Sequence, residues 1–137
     1  MNDSISLYRE FMHVSHFLRH GHNEPALKVA PGQHRVLTVL GNVDALAQRD
    51  LAERMGIAPA SLSELLTKLE ERGLVVRERQ KEDRRVIMVS LSKKGKAQAQ
   101  KLLDAEQRIA DETFGALSEE DREQLARILT AIVESCD

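Results

Sequence analysis

QRDLAERMGIAPASLSELLTKLEERGLVVRERQKEDRRVIMVSLSKKG, residues 48–95, decides the fold of this chain. Its apolar residues first recur at helical spacing: Leu51, Ala52 and Met55, then Leu62, Leu65, Leu66 and Leu69. Side chains three and four apart share one helix face, so the two runs predict a short helix over 48–55 and a longer one over 59–72. Gly56 ends the first, Pro59 stands in the first turn of the second, and Gly73 lies just past its end. Residues 74–79 and 85–91 are rich in Val, Ile and Leu and flank the polar tip Gln80-Lys81-Glu82-Asp83-Arg84-Arg85. That pattern predicts a two-stranded hairpin.

Outward from this stretch the chain reads as helix. Leu7, Phe11, Val14 and Leu18 form an amphipathic stripe over residues 4–20, which Gly21 and Pro25 then interrupt. Pro31 opens a second helix carrying Val36, Leu37, Val39 and Leu40 and ending near Gly41-Asn42. Past the hairpin, Ser92 is placed to cap a helix over about 93–114. Ser118, with Asp121 three residues on, opens a last helix to about 135 bearing Leu125, Ile128, Leu129, Ile132 and Val133. The expected class is mainly α with a small β-hairpin wing. A chain of 137 residues fits one domain with a modest core.

Composition narrows the setting. No apolar run reaches the roughly 18–20 residues that span a bilayer, and acidic and polar residues enter at once from the N-terminus. No membrane partner and a cytoplasmic location are therefore expected. The single cysteine, Cys136, leaves no intrachain disulfide to form. Net charge is −2, but its distribution is uneven. Between Arg72 and Lys96 nine Lys/Arg face only Glu78, Glu82 and Asp83, whereas Asp104–Asp137 holds ten acids against three arginines. Such segregation can present a basic face to phosphates while the remainder stays acidic.

Two helices joined by a tight glycine turn, followed by a hairpin, give a winged helix-turn-helix in which the second helix enters a DNA major groove. Opposite its leucines that helix offers Ala60, Ser61, Ser63, Glu64, Thr67 and Lys68. Small hydroxyl residues near a helix N-terminus suit close approach to phosphates and base edges. Glu64 has two readings: acceptor from cytosine N4, or i,i+4 partner of Lys68. At the hairpin tip, Lys81, Arg84 and Arg85 suit a narrow minor groove, and Asp83 is expected to pair with an arginine or a backbone amide and set the tip's angle.

Asp83-Arg84-Arg85, followed by Val86, Val89-Ser90-Leu91-Ser92 and Gly95, resembles the D-x-R…V-x-L-T…G wing signature of the MarR family of winged-helix regulators. Ser61-Leu62-Ser63, Leu69-Glu70-Glu71-Arg72-Gly73-Leu74, and Gln33 with Val36-Leu37 resemble other parts of its helix order. Ser92 replaces the usual Thr, and Glu64 stands where many members carry a basic residue. The resemblance implies one domain over 1–137: a winged helix-turn-helix over about 31–92 and dimerisation helices over about 4–20, 93–114 and 118–135. It further implies a homodimer that grips a pseudo-palindromic double-stranded operator as a ligand-responsive repressor. The effector would be a small molecule, often phenolic in this family, and no cofactor is required.

All five histidines lie in the first quarter of the chain. On a helix His13, His16 and His20 fall within about 60° of one another, nearly opposite the Leu7/Phe11/Val14/Leu18 stripe. With His22 and His34 they are candidates for an effector, metal or haem site. Metal- or haem-responsive regulation is thus one alternative; a winged helix used only for protein association is another. Catalysis has no motif behind it: Glu119-Glu120-Asp121 reads as the first turn of a helix.

Overall fold

A computed structural model describes residues 3–20 and 30–136; Gly21, His22 and Pro25 lie outside the described residues. The described elements run α1 (Ser4–His20), α2 (Pro31–Leu40), β1 (Leu46–Ala47), α3 (Gln48–Met55), α4 (Pro59–Glu71), β2 (Val75–Arg79), β3 (Ile87–Leu91), α5 (Lys93–Phe114) and α6 (Glu119–Cys136). Two compact units emerge, one reaching to Ala105 and containing α2–β3, the other containing α1, α6 and α5 from Glu106 onward. The boundary falls inside α5, whereas the sequence places the change at its first residue.

In the winged unit the predicted leucine faces are sealed. Val36, Leu37, Leu51, Leu62, Leu66, Leu69 and Val89 are fully buried, with Leu40, Met55, Leu74, Val75 and Leu102 close behind. Burying a Leu or Val side chain contributes roughly 1.5–3 kcal/mol, so this cluster dominates the unit's stability. α2 and α4 come close because Gly32 has no side chain; a Cβ there would press on Leu65 at 3.0 Å. The two ends of the helix-turn-helix stop where glycine permits. Gly56 has φ +65° and Gly73 φ +74°, left-handed backbone that L side chains resist. Behind each, the chain closes back onto its helix, Ile57 N donating to Ala52 O and Leu74 N to Leu69 O.

The hairpin pairs antiparallel, Val75 opposite Leu91 and Arg79 opposite Ile87. β1, which the sequence reading did not find, adds a third strand through Leu46–Val89 and Ala47–Met88, giving the order β1-β3-β2. A two-residue strand carries no alternation to read.

Three elements meet where the hairpin returns. Ser92 Oγ donates to Gly73 O, Ser92 N donates to Leu74 O at 3.0 Å, and Gly95 N donates to Ser92 Oγ at 3.0 Å. Ser92 thus caps α5, as its hydroxyl predicted, and ties it to the exit of α4. A Cβ on Gly95 would overlap the Leu74 carbonyl oxygen, so glycine is needed for close approach rather than for its dihedral freedom.

Apart from α5, the helix starts are of two kinds. α1 and α6 begin on side-chain caps, Ser6 N donating to Asp3 Oδ1 at 2.9 Å and Asp121 N to Ser118 Oγ at 3.1 Å. α2, α3 and α4 follow Ala30, Ala47 and Ala58, none of which caps with a side chain.

In the other unit neither α1 nor α6 has a buried residue. Leu7, Phe11 and Val14 keep 52%, 54% and 50% of their surface exposed, and Ile128, Ile132 and Val133 are exposed too. No helix among the described residues is long and apolar enough to cross a membrane.

Candidate nucleic-acid interface

α4 presents its non-leucine side outward. Ala60, Ser63, Glu64, Thr67 and Lys68 line one shallow concavity there, together with Glu71, and Ser61 is exposed beside it. Glu71 had not been foreseen on this side. It leaves the outer end of the helix acidic. Glu64 forms no ion pair with Lys68 among the described residues, so the intrahelical reading of this carboxylate is not realised.

Thr67 is placed differently from expectation. Its hydroxyl donates to Ser63 O at 2.9 Å and accepts from Arg77 Nη2 at 3.0 Å. The same guanidinium reaches both carboxylate oxygens of Glu70, Nη2 to Oε1 at 3.2 Å and Nε to Oε2 at 3.4 Å. Thr67 is exposed, but its oxygen is already engaged on both lone-pair and proton sides. The C-terminal end of α4 is held as well, Arg72 Nη1 donating to Gln33 Oε1 at 2.8 Å and Lys94 Nζ to Arg72 O at 3.1 Å.

The hairpin tip is internally braced. Asp83 Oδ1 accepts from Arg85 N at 3.1 Å and from Arg85 Nε at 3.0 Å, while Oδ2 accepts from Arg85 Nη2 at 3.2 Å. These bonds favour the charged form, and Arg85 holds the Asp83 carboxyl below its ordinary value. Arg79 Nη1 donates to Arg84 O at 2.8 Å, and Val86 N to Asp83 O at 3.0 Å, closing the turn. Arg85, with a side chain 90% exposed, is therefore pre-aimed by Asp83. The guanidinium of Arg84 and the ammonium of Lys81 are exposed and have no intramolecular partner among the described residues.

A pocket of about 260 Å³ joins the wing base to the starts of α3 and α4, lined by Ala47, Gln48, Arg49, Pro59, Arg85, Val86 and Ile87. Arg49 was missed in the sequence. A signal existed: a cation in the first turn of a helix opposes the helix dipole, so its presence there asks for an external anion. Two uncapped helix starts and two arginines thus share this side of the winged unit.

The described histidines are distributed over α1 and α2. The rings of His16 and His20 lie 4.8 Å apart, tilted by 49°, whereas His13 lines a separate cavity and His34 sits on α2 in the winged unit. Among the described residues no three of His, Cys, Asp or Glu gather to hold a metal, and the candidate His22 lies outside them. The His13 cavity, about 480 Å³, is lined by Glu10, His13, Val14, Phe17, Glu112 and Thr113, and Thr113 Oγ1 is buried without a hydrogen-bond partner.

Comparison with known proteins agrees with this architecture. Residues 27–86 match the family model described as the MarR family. The chain is 28% identical over 106 residues to the HTH-type transcriptional regulator YdgJ of Bacillus subtilis, covering 77% of this chain and 65% of that protein. It is 29% identical over 109 residues to the HTH-type transcriptional repressor MdtR of the same organism, covering 80% and 70%. Among solved structures, AbsC, a MarR family transcriptional regulator from Streptomyces coelicolor, superposes with a TM-score of 0.80 at 24% identity over 99% of this chain and 96% of that one. The MepR–DNA complex of S. aureus gives 0.76 at 23% identity over 98% and 99%. At these identities the superpositions speak for the fold alone.

Proposed function

From the match of residues 27–86 to the MarR family model and the likeness to HTH-type transcriptional regulators, we propose that this chain is a MarR-family regulator: a homodimeric, sequence-specific DNA-binding repressor whose grip on its operator is released by a small molecule. In this reading α4 lies in the major groove with Ala60, Ser61, Ser63, Glu64 and Lys68 toward the bases and phosphates. The wing tip lies in the adjacent minor groove with Arg84, Arg85 and Lys81. The observation that carries the reading is the wing: one arginine pre-aimed by Asp83 and another, Arg84, whose guanidinium has no partner among the described residues. A cation held ready at a hairpin tip favours the negative potential of a narrow groove. A second copy of the chain is the natural cover for the apolar side chains left exposed on α1 and α6. Two α4 helices related by a two-fold axis then suit a pseudo-palindromic site.

The decisive experiment uses the duplex that the wild-type protein selects from a random-sequence pool. Arg84→Ala with Arg85→Ala is expected to weaken binding by about tenfold or more and to lower the salt dependence, with the dimer intact by sedimentation. Undiminished affinity would remove the wing assignment. Failure of the wild type to select any duplex would favour a protein-association module instead.

For the effector, the cavity beside His13 supports the reading, since the Thr113 hydroxyl is a buried hydrogen-bonding group in a lining that also includes the apolar Val14 and Phe17. A small molecule that releases wild-type protein from DNA should lose potency against Thr113→Val and His13→Ala. Equal potency on both variants would place the effector elsewhere.

A further inference from the structure

Arg77 is the one arginine of the hairpin strands whose guanidinium leaves the hairpin to grasp another element. It sits on β2, is 19% exposed in its side chain, and spans to α4, meeting Thr67 Oγ1 at 3.0 Å and both oxygens of Glu70 at 3.2 and 3.4 Å. Its neighbour on the same strand, Arg79, bonds within the hairpin to Arg84 O. The two arginines therefore do different work: one closes the tip, the other fastens the hairpin to the helix. A planar fork that engages two partners one helical turn apart fixes both the rotation of α4 and its distance from the strand. Glu70 remains 44% exposed, so the net contribution to stability is small, as for surface pairs generally.

We infer that Arg77 is a positioning residue for DNA recognition, acting through Thr67 and Glu70 to set the angle between the recognition helix and the wing, and that Thr67 belongs to this joint and does not read a base. A site that must enter two grooves at once depends on that angle. A loose joint lets each element bind phosphates separately but denies simultaneous fit to one sequence. Arg77 itself is turned to α4 and reaches no phosphate. The inference rests on the DNA-binding reading above, and its test is built to separate the two.

The variants are Arg77→Lys, which keeps the charge and loses the fork, Thr67→Val, which keeps the volume and loses the hydroxyl, and Glu70→Gln. Binding is measured to the duplex selected by the wild type and to a scrambled duplex of equal length, across a salt series. For Arg77→Lys we expect about five- to tenfold weaker binding to the selected duplex, unchanged binding to the scrambled one and an unchanged salt slope. Thr67→Val should lower discrimination evenly across positions of the site, without relaxing any single base. Affinity losses in the Arg77→Lys/Glu70→Gln pair should fall short of additive, since both break one contact. In the free protein, amide exchange along Val75–Leu91 should quicken in Arg77→Lys while that of α2 stays protected.

A salt slope lowered by about one, with both duplexes weakened alike, would overturn the inference by making Arg77 a phosphate contact. Relaxed preference at one base position in Thr67→Val would overturn the assignment of Thr67. Full discrimination in Arg77→Lys with only a lowered Tm would make the contact a structural brace and nothing more. If the wild type selects no duplex, the DNA reading fails; unchanged amide exchange in Arg77→Lys separately removes the joint.

Discussion

α1 and α4 carry the same kind of message in sequence and meet different ends. Each has an apolar stripe repeating every three to four residues. In α4 that stripe is closed over by α2, α3 and the hairpin, and Leu62, Leu66 and Leu69 reach zero exposure. In α1 the equivalent residues Leu7, Phe11 and Val14 remain about half exposed. Periodicity therefore tells which face a helix wants covered, and says nothing about what covers it. The winged unit answers from within the same chain. The terminal helices keep their apolar faces exposed, the surface to which the proposed dimer is assigned.

The largest expected effect tests the sealed region. Leu66→Ala should lower unfolding free energy by about 2–5 kcal/mol in denaturant titration, since the cavity is enclosed on all sides, with the dimer dissociation constant unchanged. A loss under 1 kcal/mol would mean the core can collapse around the gap, blurring the contrast. Next comes Gly95→Ala. Its Cβ would overlap the Leu74 backbone, which must itself shift, so about 1–3 kcal/mol or more should be lost, visible as a lower Tm. On the open side, Phe11→Ala should leave far-UV circular dichroism intact and raise the dimer dissociation constant by roughly tenfold in sedimentation equilibrium. An unchanged constant would break the comparison outright, because α1 would then be exposed with no partner to meet.

The smallest effect is electrostatic and sits at the wing tip. Arg85 lowers the pKa of Asp83 in the folded chain, so the brace is present above the ordinary carboxylate value and is lost as pH falls through the lowered one. An NMR titration of the Asp83 carboxyl carbon should show its midpoint below that of a solvated aspartate, and Arg85→Ala should bring it back up. Identical midpoints in the two proteins would dissolve the brace.

Most of the element boundaries were legible because punctuation is local. Gly56, Pro59, Gly73, Ser92 and Ser118 act within a turn of themselves, and the helices begin and end within a residue or two of where these predict. The Asp83–Arg85 pair was legible for the same reason, two residues apart on one turn. What escaped was non-local. β1 exists only because Leu46 and Ala47 find Val89 and Met88, more than forty residues on. Thr67 could be placed on the outward side of α4 by counting, but its capture by Arg77 depends on a strand folding back over the helix. Glu64 and Lys68 have the right spacing to pair and do not, which spacing alone could not decide.

The three alanines that precede α2, α3 and α4 carry a consequence for engineering. A serine or aspartate at such a position commonly adds about 0.5–2 kcal/mol, so Ala30, Ala47 and Ala58 mark three addresses where the winged unit can be hardened without touching its core. They are not equivalent. At Ala58 a new oxygen would take up the free amides at the start of the recognition helix, the groups an incoming phosphate would meet, so there hardening and DNA affinity pull apart. Ala30, at the head of a helix outside the recognition surface, is the position where the chain can be made sturdier and left able to read.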